Sequence, residues 1–262
     1  MLRESELELS RQGLRSFARV ISAVRGVLEA QLGIDDIPFP VETIQPIRDF
    51  RARTLQLLAE TRDPRPKERK ALERKGWVFL QTEAKPLAQV IQEHPDHFGH
   101  IDDGLDLAAF TPPSLVVAIK PDQPTIHNSF GRSPSVNLLM IDAYSQPIEA
   151  EFSRATALML PASTYAQIDI EYFRQTGERF FGGFFACPLD QASDSDGPLV
   201  GRLAPHIPEL KLYVYRDSAV SAVTIDMQSG LRGSFLVAAV PAVVFIKESY
   251  TPQRKIHSSL LR

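Results

Sequence analysis

Cysteine is nearly missing from this chain of 262 residues: there is one, Cys187. A single thiol cannot close an intramolecular disulfide. That excludes a disulfide-stapled scaffold and points to a reducing compartment, expected to be the cytoplasm. An excess of one charge is missing too, since 29 Lys and Arg stand against 32 Asp and Glu for a net charge of -3. Nothing global therefore selects nucleic acid or an anionic membrane. The longest apolar run, FLVAAVPAVVFI at residues 235–246, is too short to span a bilayer and is broken by Pro241. It suits a buried strand pair, and no membrane association is expected. The first ten residues, MLRESELELS, carry charges where a secretory leader needs an apolar core. Neither GxGxxG nor GxxxxGK[ST] occurs, so no standard phosphate loop is supported, and no GxSxG elbow marks a serine hydrolase.

What is there begins with an amphipathic pattern. Between residues 6 and 32, Leu7, Leu14, Phe17, Val20, Ile21, Val24, Val27 and Leu28 recur mostly at steps of three or four. That spacing predicts a helix, capped by Gly33 and followed by a linker with two prolines, IDDIPFP. A second helix is predicted over residues 44–61, with Ile47, Phe50, Leu55 and Leu58 on one face. A basic stretch follows at residues 62–75, where Arg62, Arg65, Lys67, Arg69, Lys70, Arg74 and Lys75 are diluted by Asp63, Glu68 and Glu73. It could contact a phosphate backbone. The favoured reading is a solvated helix face with i,i+4 pairing, because interleaved aromatics are lacking, so a nucleic-acid partner is not expected. Residues 1–75 thus read as a helical segment able to mediate homo-oligomer assembly, and residues 76–262 as the main domain.

From Trp77 the pattern alternates. Strands are expected at residues 77–82, 115–119, 156–160 and within ERFFGGFFACP, where Gly182–Gly183 suggests a bulge or a close backbone approach. Helices are expected between them. One carries Leu87, Val90 and Ile91 after Pro86. One starts at Ser133–Pro134 and carries Val136, Leu139, Met140, Ala143 and Tyr144, with Pro147 ending or kinking it; a strand over residues 136–141 is the alternative. One runs over residues 162–177, with a Thr164–Gln167 capping box and Gly177 at its end. Alternation of strand and helix argues for parallel strands joined by crossovers. Continuous apolar strands such as LVVAI argue for cover on both faces. The expected class is therefore α/β: a mostly parallel sheet with helices on both faces, antiparallel C-terminal edge strands and an N-terminal helical segment. The runner-up is α+β.

In such sheets ligands bind beyond the carboxyl ends of strands, where helix N-termini favour anions. Two loops qualify. Residues 120–135 form a long polar connection with Lys120, Asp122, His127, Asn128, Ser129 and Arg132, and PAST at 161–164 presents Ser163 and Thr164. The expectation is a small anionic ligand, phosphate- or carboxylate-bearing, with Lys120, Asn128, Ser129, Arg132, Ser163 and Thr164 binding it. His127 would be the catalytic proton-transfer candidate. Cofactors are not specified. The alternative is a non-enzymatic interaction or structural protein assembling through its N-terminal helices.

The densest chemistry is EHPDHFGHIDD, residues 93–103, with three of the six histidines. His94, His97, His100 and Asp102 are the metal candidates. Their spacing is not that of HExxH, and Pro95 breaks the turn, so a polar capping loop is the preferred reading. Asp190, Asp194 and Asp196 lack the closing Glu of an EF-hand and suit a solvent loop. Cys187 suits a buried structural thiol.

Overall fold

The fold is built around one strand near the end of the chain. The computed structural model describes residues 52–130, 134–189, 198–201, 211–216 and 237–248. All of them fall within one compact unit, Phe50–Glu248. The helix expected over residues 6–32, its linker, most of the second helix, Arg132, Asp190, Asp194 and Asp196 lie outside the described residues.

Five helices are seen among the described residues: α1 (residues 52–59), α2 (Pro66–Glu73), α3 (Leu87–Glu93), α4 (Pro134–Glu151) and α5 (Ala162–Thr176). The strands of the first sheet are β1 (Thr61–Arg62), β2 (Val78–Thr82), β4 (Leu115–Ile119), β5 (Ala155–Leu158) and β10 (Ala242–Ile246). The second sheet holds β3 (Phe98–Ile101), β6 (Phe185–Ala186), β7 (Pro198–Gly201), β8 (Leu212–Arg216) and β9 (Val237–Ala238).

β10 organises the first sheet. Its residues 242–245 pair antiparallel with β5, and on its other edge Val243 pairs with Ala118 of β4 while Phe245 and Ile246 pair with β1. β2 then pairs antiparallel with β4 along all five residues. The second sheet runs β3-β8-β7-β6-β9, with β3/β8 and β6/β9 parallel and the two middle pairs antiparallel.

The expected mostly parallel α/β sheet is therefore corrected to α+β, with an antiparallel first sheet and a mixed second one. The physical reason is specific. β4 and β5 do run the same way and are joined by the crossover helix α4, as alternation requires. β10 sits between them, antiparallel to both, so neighbours in the sheet are not neighbours in the chain. Between β2 and β4 the chain makes no simple crossover. It passes through α3 and then leaves for the second sheet at β3. The apolar run at 235–246 does form two strands, but one joins each sheet, and Ala239–Pro241 is the bend between them. β10, assigned to an edge from sequence, is central.

The core follows from this. Leu115, Val117, Ala118 and Ile119 of β4, all of β5 and all of β10 are buried. α4 packs on β5, and α5 packs on both β2 and β7, so it serves both sheets. A helix covered on two sides must bury most of its surface. α5 accordingly buries Tyr165, Ala166, Ile168, Asp169, Ile170 and Tyr172. Tyr165 accepts from Leu160 N at 3.1 Å and donates to Val240 O at 2.5 Å, tying α5 to the bend before β10.

Two local expectations change and a third holds. Pro147 does not end its helix, because α4 runs unbroken to Glu151. Before it Ser145 Oγ meets Thr156 Oγ1 at 2.7 Å and accepts from Ala157 N at 2.9 Å, and after it Glu149 Oε1 accepts from Thr156 Oγ1 at 2.7 Å, holding the helix to β5 on either side of the proline. Thr164 is not an N-cap: α5 starts two residues earlier with Pro161 in that position. Gln167 instead accepts from Glu83 N at 2.7 Å and donates to Glu83 O at 3.1 Å. Gly177 caps as expected, at φ 75°.

Candidate functional site

β4 and β5 end on the same side of the sheet, next to the start of β10. Both loops singled out from sequence therefore reach one end of the molecule, although a strand separates them. The first is stitched down. Ile126 N donates to Ala239 O at 3.0 Å, Ala239 N donates to Ser129 Oγ at 3.1 Å, and Ser129 N donates to Ile126 O at 3.2 Å. Asn128, between these anchors, takes φ 63°, a left-handed conformation that asparagine tolerates better than most residues. A loop pinned on both sides of His127 and Asn128 presents them from a rigid base.

Above it lies a cleft of ≈ 910 Å³, lined by residues 122–128 together with Phe130 and Tyr144. Asp122, His127, Asn128 and Phe130 stand exposed, and Phe130 is the one large apolar side chain so exposed among the described residues, at 36 %. Its ring meets the buried Phe184 edge-on at 6.3 Å. Tyr144 projects from α4. Burial, helped by the Asp122 carboxylate, raises its phenol above the ordinary tyrosine value, so it remains a hydrogen-bond donor at neutral pH.

The residues expected to share a site are only partly brought together. His127 and Asn128 line the cleft. Ser129 is fully buried beneath it and serves as the anchor to Ala239. Lys120 is half-buried, donates to Gln123 at 3.1 Å and lies 4.0 Å from Asp122. Ser163 and Thr164 are sealed in the first turn of α5, 2 % and 0 % exposed, and their hydroxyls find no hydrogen-bond partner among the described residues. They do not line the cleft. Tyr144 and Phe130 were missed, and Asp122, noted in the loop, was given no role. Tyr144 was read only as a helix-face residue, and its signal was its position one helical stretch after a long polar loop.

The histidine cluster disperses. His94 closes α3, and His97 ends a short 3-10 turn at Pro95–His97. His100 lies on β3, where the polar loop expected from sequence gives way to a strand. His100 Nε2 pairs with Asp102 Oδ1 at 2.9 Å and its ring leans on Tyr215, whereas His97 turns to Phe173 and Arg179 of the α5 region. Among the described residues no group of three His, Cys, Asp or Glu is placed to hold a metal ion.

The basic stretch is largely occupied by acids of the chain. Arg62 forms two hydrogen bonds to Glu68 at 2.8 and 2.7 Å, Arg69 meets Glu73 at 3.0 Å, Arg65 pairs with Glu248, and Lys75 with Glu151. Cys187 is buried. Among the described residues no helix is long and apolar enough to cross a membrane.

Comparison with known protein families, curated proteins and solved structures finds no match for this chain. Function is therefore argued from the cleft alone.

Proposed function

We propose that this protein binds a small ligand in the cleft formed by the loop after β4 and by Tyr144 of α4, with an anionic group directed toward the start of α4. The observation that carries this reading is the pinned loop: two hydrogen bonds to Ala239 hold His127 and Asn128 against a ≈ 910 Å³ cleft that also receives Tyr144 and Phe130. Rigid support under an exposed polar loop is what binding requires and what a mere connection does not. Phe130 offers an apolar face, and Asn128, Thr125 and Tyr144 offer hydrogen bonds around it. α4 begins just after this loop, and the positive end of its helix dipole favours an anion. Asp122 works against an anion on its own side of the cleft. Arg132 enters by sequence alone, as the cation nearest the start of α4. His127 is the residue placed to move a proton if the bound ligand is turned over. The single buried thiol is consistent with a cytoplasmic setting.

The test is ligand-observed NMR and thermal shift on the full chain. Inorganic phosphate, citrate and adenosine monophosphate are the probes. Binding of at least one is expected, weakened about tenfold or more, equivalent to about 1.4 kcal/mol, by Tyr144→Phe or Asn128→Ala. Failure of all three probes, or binding indifferent to both substitutions, would remove the reading.

A further inference from the structure

Away from the cleft, one guanidinium joins three parts of the fold. Asp169 sits in the middle of α5 with its side chain fully buried. Its carboxylate accepts from Arg179 Nη1 at 3.0 Å and from the N–H groups of Phe180 and Phe181 at 2.9 and 3.1 Å. Arg179 is 7 % exposed and stacks on Phe173, 4.2 Å from the ring centre. The same Nη1 also reaches His97 Nδ1 at 2.8 Å. His97 belongs elsewhere, to the turn that leads into β3, the edge of the second sheet among the described residues.

The chemistry of that contact admits one protonation state. A guanidinium only donates, so Nδ1 must keep its lone pair and the imidazole proton must sit on Nε2. An imidazolium would set N–H against N–H and like charge against like charge. The groups facing His97 are Arg179 from the turn after α5, Asp169 behind it, His94 from the end of α3 with rings 5.8 Å apart, and Asp96 from its own turn. Phe173 packs against it edge-on. Burial lowers the His97 pKa, Arg179 and His94 lower it further, and Asp96 opposes them.

We propose that His97 is an acid-released clasp. Neutral, it ties the start of β3 to α5 through Arg179. Protonated, it lets go, and the β3 edge loosens while Asp169 keeps Arg179 in place. β3 is suited to this. It has four residues, pairs with β8 alone among the described strands, and shifts register between Phe98 and His100. Its middle residues, Gly99 and His100, are exposed, and an edge so exposed opens at low free-energy cost. The sign follows from a folded-state pKa below the ordinary value of 6.5: the unfolded chain binds the proton more readily. The clasp's contribution is whole above that value and declines as the pH falls from it toward the folded-state pKa.

Hydrogen exchange on the full chain, at about pH 7.5 and about pH 5 and corrected for the intrinsic rate, tests this. Amides of Gly99–Ile101 are expected to lose about tenfold or more protection at the lower pH while those of α5 keep theirs. His97→Gln retains an acceptor oxygen and cannot charge, so its protection there should be the same at both pH values. His94→Gln should keep the wild-type response. Equal wild-type protection at both pH values overturns the proposal. So does an acid loss that survives in His97→Gln or vanishes in His94→Gln. If His97→Gln fails to fold, ¹⁵N shifts of His97 in the native chain decide. An Nε2–H tautomer titrating below the ordinary histidine range supports the clasp, and an Nδ1–H tautomer or an ordinary pKa overturns it.

Discussion

Thr164 is a residue whose best-known role, capping, is contradicted by where it sits. It lies in the first turn of α5 with a sealed hydroxyl that meets no partner among the described residues. A buried unmade hydrogen bond costs free energy, and valine has nearly the same shape without the oxygen. Thr164→Val is therefore expected to raise the unfolding free energy by about 1 kcal/mol. Urea denaturation followed by the buried Trp77, the single tryptophan, measures it. A loss of stability instead would mean that the oxygen serves a bound group. Glycine gives a second residue-scale contrast. A Cβ at Gly201 would collide with backbone atoms of Phe185 in the paired strand β6 and of Phe184 just before it, which cannot move aside. A Cβ at Gly99 would come no nearer than 3.1 Å to the ring of Tyr213 and 3.2 Å to Lys211 Cβ, a crowding that shifts of a few tenths of an ångström relieve. Gly201→Ala should cost about 1–3 kcal/mol and Gly99→Ala clearly less, read as the difference in thermal midpoint.

At the scale of elements, periodicity was legible where one face or a whole run is buried. LVVAI appears as β4 with the expected bounds, and the helices at 87–93 and 162–176 follow their apolar spacing, the second also ending at Gly177 as its C-terminal signal requires. β3 was not legible, because FGHI has one Gly, one His and no run of β-formers. Only its pairing with β8 makes it a strand. At Pro147 only the expected ending is overturned: local propensity says stop or kink, while the hydrogen bonds of Ser145 and the packing on β5 carry the helix on to Glu151. Proline cannot donate to the carbonyl four residues earlier, at Ala143. Pro147→Ala should accordingly stabilise by up to about 3 kcal/mol, seen as a higher midpoint and unchanged activity toward any cleft ligand. An unchanged midpoint would show that α4 is already relaxed around the ring. Asp169 makes the opposite case, because it supports Arg179 and two backbone N–H groups at once. Asp169→Ala leaves a buried cation unpaired and should cost about 3–5 kcal/mol.

For the whole molecule, the error in fold class and the position of β10 are the same fact. Alternation of strand and helix correctly predicts that β4 and β5 point the same way. It carries no information about a strand more than eighty residues later that inserts between them, because pairing partners are chosen by packing and not by chain order. The same insertion brings Ala239 under the loop at 126–129, so the candidate site depends on the last described strand as much as on the loop that lines it. An edge strand can fray without loss of the rest, but β10 pairs with β1, β4 and β5 and its five residues are all buried. A chain ending before Val237 is therefore expected to lose cooperative unfolding altogether, with Trp77 exposed and no thermal transition. If such a chain still melted cooperatively and kept ligand binding in the cleft, β10 could not be the strand that holds the first sheet together.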